Sequence, residues 1–100
     1  MKTAVTYPGV RAVRPLSGKK LLVTFSTGEV RYYDCLPLLS QEPFRALEDE
    51  RLFLQVHADA HGYGVIWNDE IDLAESELWI NGTPAEPEHG ADRSQPLRPP

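Results

Sequence analysis

A chain of 100 residues, 41% hydrophobic and 25% charged, holds one domain's worth of sequence and enough apolar material for a core that needs neither disulfides nor metal. Its single cysteine excludes an internal disulfide, and no Cys/His spacing of zinc-finger type recruits it, so a reducing cytoplasm is the expected compartment. No stretch reaches the roughly 18 apolar residues of a membrane span, and "MKTAVTYPGVRAVRP" lacks the apolar centre of an export signal.

The net charge of −5 conceals a strong asymmetry. Residues 1–31 carry Lys2, Arg11, Arg14, Lys19, Lys20 and Arg31 against Glu29, a net of +5, whereas residues 34–77 carry eleven acids against Arg45 and Arg51, a net of −9. Such a field steers a charged partner, and solvated charge also keeps any small domain soluble.

In chain order, "GVRAVRPL" alternates as a strand does and predicts one that ends at Pro15. "KLLVTFSTGEVRYYDC" places β-branched and aromatic residues on both sides of Thr27-Gly28, so residues 19–26 and 29–35 should pair antiparallel, with Leu21, Val23 and Phe25 on one apolar face. "LLSQEPFRALEDERLF" predicts a short helix across that face, with Ser40 as N-cap, Pro43 in the first turn, and Phe44 and Leu47 on one side. "LQVHADA" returns to extended structure. His61-Gly62-Tyr63-Gly64 then turns the chain into "VIWNDEIDL", a second hairpin that completes the sheet and buries Trp67. Asp72-Leu73-Ala74-Glu75 has capping-box spacing, which starts a helix over "LAESELWI" that Asn81-Gly82 closes. From Thr83 onward, five prolines in 18 residues and almost no large apolar side chains cannot offset the entropy of ordering. The expected fold is α+β: a small antiparallel sheet of four to five strands with two short helices, in the order strands, helix, strands, helix. It forms a single domain over residues 1–82, followed by a disordered Pro-rich tail over 83–100.

Candidate chemistries are weak. His57-x-Asp59-x-His61 offers three ligand types on alternate positions, with Asp69 or Asp72 in reach, but coplanar ligands on one strand rarely enclose an ion. Asp69 and Glu70 are adjacent in a turn, with nothing to drive their pKa values apart for acid–base work. Cys35 follows Asp34 and lacks the basic surroundings of a reactive thiolate. No catalytic residue, cofactor or metal is expected, and the chain reads as non-enzymatic.

What remains is binding. Asp69, Glu70, Glu75 and Glu77 form an acidic cluster suited to a protein partner with a basic surface, and Tyr32, Tyr33 and Tyr63 are the anchor candidates, since tyrosine is enriched at binding hot spots. The alternative places Arg11, Arg14, Lys19, Lys20 and Arg31 along one surface with Tyr32 or Tyr33 interleaved, as in single-strand binders, and makes the chain an accessory nucleic-acid-binding or transcriptional module.

The succession "LLVTFSTGEVRYYD", "PLL", "FRAL", "LFLQVHAD", "GVIW" and "DLAESELW" resembles the bacterial domain of unknown function 2442 family, over nearly all of residues 10–79. The matched positions, Phe25, Gly28, Asp34, Leu39, Phe44 and Leu47, then Phe53, Val56, Trp67, Asp72, Leu73 and Leu78, have the character of core, turn and cap residues. The resemblance implies a compact α+β domain of the kind sometimes fused to a helix-turn-helix, or encoded beside a second small protein as in toxin–antitoxin pairs. From this follows the expectation of an antitoxin-like or inhibitory member of a two-gene pair. Where the family carries a Pro-Asn-Gly-like turn after the Trp, this chain has Asn68-Asp69-Glu70, so Asn68 or Asp69 is expected to take any left-handed position.

Overall fold

Alternation of apolar side chains organises the first half of the molecule, as seen in the computed structural model, which describes residues 6–85. Lys2 and most of the expected tail, residues 86–100, lie outside the described residues. Strands β1 (Val10–Leu16), β2 (Lys20–Phe25) and β3 (Val30–Asp34) form an antiparallel meander. β1 continues through Pro15, which stands opposite Leu21, instead of stopping there. An outermost strand tolerates the missing N–H. The β2–β3 turn falls on Thr27-Gly28 as read, with Gly28 at a φ of 95° and its N–H bonded to the Phe25 carbonyl at 2.8 Å.

The expected helix after β3 is divided. Leu36–Ser40 and Phe44–Glu48 are 3-10 helices, and only Glu50–Phe53 makes an α-helical turn, α1. Ser40 ends the first piece rather than capping a helix. The cause is proline: Pro37 lies in the first turn of the first piece and Pro43 sits just before the second, and each removes a donor and restricts its predecessor. The side chain of Asp49, which accepts from the Arg51 N–H at 3.0 Å, caps α1.

Strands β4 (His57–Ala58), β5 (Gly64–Asn68) and β6 (Ile71–Ala74) follow. They build an antiparallel sheet of their own instead of completing the first one. Asp72 lies within β6, opposite Ile66, so it caps nothing. Helix α2 (Glu75–Asn81) starts after Ala74 with no side-chain cap. Ile71 and Leu73 are buried while Asp72 and Ala74 are exposed; this period of two drew the segment into the sheet against its capping-box spacing. The turn after Trp67 also differs from expectation. Lys19 is the non-glycine residue with positive φ among those described; Asn68 instead uses its side-chain oxygen to accept the N–H groups of Glu70 and Ile71 at 2.8 and 3.0 Å, an Asx turn.

Gly82 ends α2 as read, but not by a left-handed φ, since its φ is −79°. A Cβ here would collide with the Leu78 carbonyl oxygen and crowd Arg31 and Tyr32, so glycine permits α2 to pass close to β3. The next two residues, assigned by composition to the tail, form β7 (Thr83–Pro84) against β3, and the Ala85 N–H bonds the Val30 carbonyl at 2.9 Å. The larger sheet thus has the order β1-β2-β3-β7 and the smaller β4-β5-β6.

One core joins the two sheets. Leu21, Val23 and Phe25 from β2, Leu47 and Phe53 from the helical segment, Val65, Trp67 and Leu73 from the smaller sheet and Leu78 from α2 belong to a single buried cluster. Helix α2 touches β3 of the larger sheet and β5 and β6 of the smaller. Trp67, 3% exposed, donates its indole N–H to the Phe53 carbonyl at 3.1 Å, as a buried indole must find an acceptor. Among the described residues no helix is long and apolar enough to cross a membrane.

Candidate binding surfaces

Strand register sorts the basic residues of the N-terminal half into two groups. Directly paired residues share a sheet face, and successive residues alternate faces. Leu21 opposite Tyr33 and Val23 opposite Arg31 therefore point to the core side, whereas Leu22 opposite Tyr32 and Lys20 opposite Asp34 point outward. Arg31 spends its charge internally. Its guanidinium lies 3.7 Å from the Trp79 ring centre, donates to the Trp79 carbonyl at 2.5 Å and pairs with Glu29 at 2.8 Å. Lys19, in the β1–β2 turn at a φ of 63°, pairs with Glu50 at 2.6 Å and lies 5.2 Å from the Phe53 ring centre. With side chains only 15% and 16% exposed, Lys19 and Arg31 are clasps between segments. The expected basic stripe of five contracts accordingly.

The outer face of the larger sheet keeps Arg14 and Lys20, while Arg11 is exposed at the irregularity of β1 between Val10 and Ala12 and has no partner in the register. The central row of that face runs Arg14, Leu22, Tyr32, Thr83 across all four strands. The flanking rows are Leu16, Lys20, Asp34 on one side and Ala12, Thr24, Val30 on the other. Tyr32 is 44% exposed, and Leu16, Leu22 and Val30 are half-buried. A shallow hollow beside the Tyr32 ring is lined by Leu16, Ser17, Lys20, Asp34 and Thr83. Arg14 and Lys20 are in no ion pair formed among the described residues.

The acidic cluster is not brought together. Asp69 and Glu70 share the exposed β5–β6 turn, while Glu75 and Glu77 open α2 at the opposite end of β6, some 13 Å away at about 3.3 Å per strand residue. Glu77 accepts from the Tyr33 hydroxyl at 2.7 Å and from the Asn81 amide at 3.0 Å. Tyr33 is 4% exposed; burial first, then its bond to Glu77 and that residue's charge, raise its phenol well above the ordinary tyrosine range. It is a core residue. Tyr63 is exposed and stacks on His61 with ring centres 5.6 Å apart, far from Tyr32 in the chain and on the smaller sheet's entry loop.

Groups with chemical potential are similarly engaged. Asp59 accepts the N–H groups of His61 and Tyr63 at 2.8 and 3.3 Å, which hold its carboxyl below the usual range and commit it to the turn. Cys35 is fully buried, and burial, aided by the Asp34 charge, pushes its thiol up to about 12. What the sequence left unresolved was which cations share a face with which tyrosine. The parity of strand positions could have separated Arg31 from Tyr32, but the arrival of Trp79 over Arg31 has no local signal.

Among solved structures, the chain is similar to the "Putative DNA Binding Protein NE0471" of Nitrosomonas europaea ATCC 19718, with 33% identity and a TM-score of 0.57 over 68% of this chain. The match spans 44% of that protein's chain. No curated protein matches. The family model described as "Protein of unknown function (DUF2442)" matches residues 10–83, and with these segments, spacings and core positions accounted for, the chain belongs to that family.

Proposed function

We propose that the chain is a non-enzymatic binding module whose docking surface is the outer face of the larger sheet. The observation that carries this reading is the composition of that face. An antiparallel sheet with one face to water ordinarily shows polar residues there; this one presents Leu16, Leu22, Val30 and Tyr32. Arg14 and Lys20 at its centre and flank suit an anionic partner. The structural engagement of Tyr33, Cys35 and Asp59 supports a binding role over a catalytic one. For the other reading, an antitoxin-like member of a two-gene pair that meets a basic protein, the four expected acids are split between the Asp69 and Glu70 turn and the start of α2, where Glu77 is engaged by Tyr33.

The test immobilises the chain, passes source-cell extract at low salt, and compares Lys20→Glu and Tyr32→Ala with Asp69→Lys and Glu70→Lys, with circular dichroism to confirm folding. Loss of the retained partner in the outer-face variants alone is expected. Loss in the turn variants alone would move the docking surface to the acidic turn and overturn this reading.

A further inference from the structure

We infer that the outer face of the larger sheet binds a single strand of nucleic acid, with a base stacked on Tyr32 and phosphates held by Arg14 and Lys20. This rests on the reading of that face as the docking surface and names its occupant. Arg14 and Tyr32 both flank Leu22 in one row, and Lys20 is two residues before Leu22 on the same strand. Lys20 is therefore a diagonal neighbour of both, at roughly 7–8 Å. A half-exposed aromatic ring on β3 with two cations on the neighbouring strands to one side is a combination by which sheets hold unstacked strands: rings take the bases, cations the backbone. The hollow beside Tyr32, with Lys20 on its wall, gives the stacked base a place to enter.

Charge and shape choose this occupant. A duplex keeps its bases stacked, and reading its major groove takes a protruding helix or two-stranded ribbon, whereas the surface here is the face of four paired strands. The one carboxylate in these three rows belongs to Asp34, which accepts the Leu36 N–H at 3.0 Å and opposes an anionic backbone beside Lys20. With Lys19 and Arg31 already paired and Arg11 outside these rows at the irregularity of β1, the face offers two phosphate contacts, from Arg14 and Lys20. This fixes a shallow salt dependence: log affinity against log salt should have a slope of about −1.4, from roughly 0.7 per phosphate on a single strand.

The experiment is fluorescence anisotropy with labelled oligo-dT and oligo-U, and with a duplex of equal length, from 20 to 200 mM salt. Expected is single-strand binding with that slope, flattened by about 0.7 in Arg14→Gln or Lys20→Gln. Tyr32→Ala should weaken binding by at least about fivefold while Tyr32→Phe retains it, because stacking needs the ring and not the hydroxyl. Asp34→Asn, which keeps an acceptor for Leu36, should strengthen binding, a gain that misfolding cannot imitate. The inference is overturned if oligonucleotides do not bind at 20 mM salt, if duplex binds as well as single strand, or if Tyr32→Ala and Asp34→Asn leave affinity unchanged. In each of these cases the extract test on Lys20→Glu and Tyr32→Ala decides separately whether the face still docks another partner.

Discussion

Replacing Trp67 tests the packing from two directions. Its indole fills the space between β5 and α1, with the Phe53 ring centre 6.1 Å away and its N–H bonded to the Phe53 carbonyl at 3.1 Å. Truncation to Ala removes the ring and the bond together, and large-to-small changes of this kind cost about 3–5 kcal/mol. For the roughly 80 residues described, at about 0.05–0.15 kcal/mol each, total stability is on the order of 4–12 kcal/mol, so Trp67→Ala leaves a marginal or unfolded chain. Trp67→Phe keeps a ring against Phe53 and deletes the donor. Among the described residues the Phe53 carbonyl then retains the long 3.4 Å bond from the Val56 N–H, which puts the loss at about 1–3 kcal/mol for an acceptor left poorly satisfied. With a urea m-value near the lower end for small domains, about 1 kcal/mol per M, the midpoint should fall by about 1–3 M in Trp67→Phe and further in Trp67→Ala. A midpoint in Trp67→Phe equal to that of the unsubstituted chain would refute the hydrogen bond's share, equal midpoints for the two variants would refute the ring's packing against Phe53, and an unmoved midpoint in Trp67→Ala would refute the burial itself.

Arg31→Lys should cost about 1.5–3 kcal/mol, since an ammonium cannot reproduce the stacked, forked contact with Trp79 and Glu29; urea midpoints measure it, and an unchanged value would show that the clasp is slack. Gly82→Ala should destabilise by about 1–3 kcal/mol through overpacking, lowering the melting temperature by at least about 4 °C, and tolerance of the methyl would contradict the close passage of α2 over β3. Cys35 gives a pH test. Its folded thiol holds a proton up to about 12 against an ordinary 9.0, so its contribution to stability is intact below pH 9.0 and declines as pH rises toward 12. Midpoints at pH 8 and above should fall less steeply in Cys35→Ala, leaving the decline to Tyr33, and parallel curves would exclude the burial. Finally, a chain ended at Gly82 should be less stable than one ended at Ala85, because the first loses the pairing of β7 with β3; identical melting would mean that β7 adds nothing.

Local signals were sufficient wherever a residue's role depends on its near neighbours. Thr27-Gly28 marked the β2–β3 turn because a positive φ is a local demand, and Trp67 was legible as core from its apolar surroundings. The acidic residues after it show the opposite case. Asp72 to Glu75 satisfies the spacing of a capping box and the period of a strand equally well, and pairing with β5, a tertiary event, decided between them. The division of the strands into two sheets has the same origin, since nothing within "GVIWN" or "IDLA" states whether they extend the first meander or stand apart. The site was half legible. Arg14, Lys20 and Tyr32 were present in the expected basic and aromatic set, but withdrawing Lys19 and Arg31 from it required Glu50 and Trp79, which lie 31 and 48 residues further along. The acidic cluster failed for a geometric reason: closeness in sequence across a strand becomes distance in space.

The chain's two tryptophans occupy different territories. Trp67 is set in the smaller sheet beneath α1, and Trp79 lies on α2 with the Phe25 ring edge-on at 5.1 Å and the Arg31 guanidinium over its face. Nature has thereby installed one optical probe per sheet. A variant emitting only from Trp79 watches the seam between α2 and the larger sheet, and one emitting only from Trp67 watches the floor of the smaller. Because a single buried cluster spans both sheets, the two emission signals should trace one superimposed transition, and any lag between them would reveal which half of the molecule lets go first.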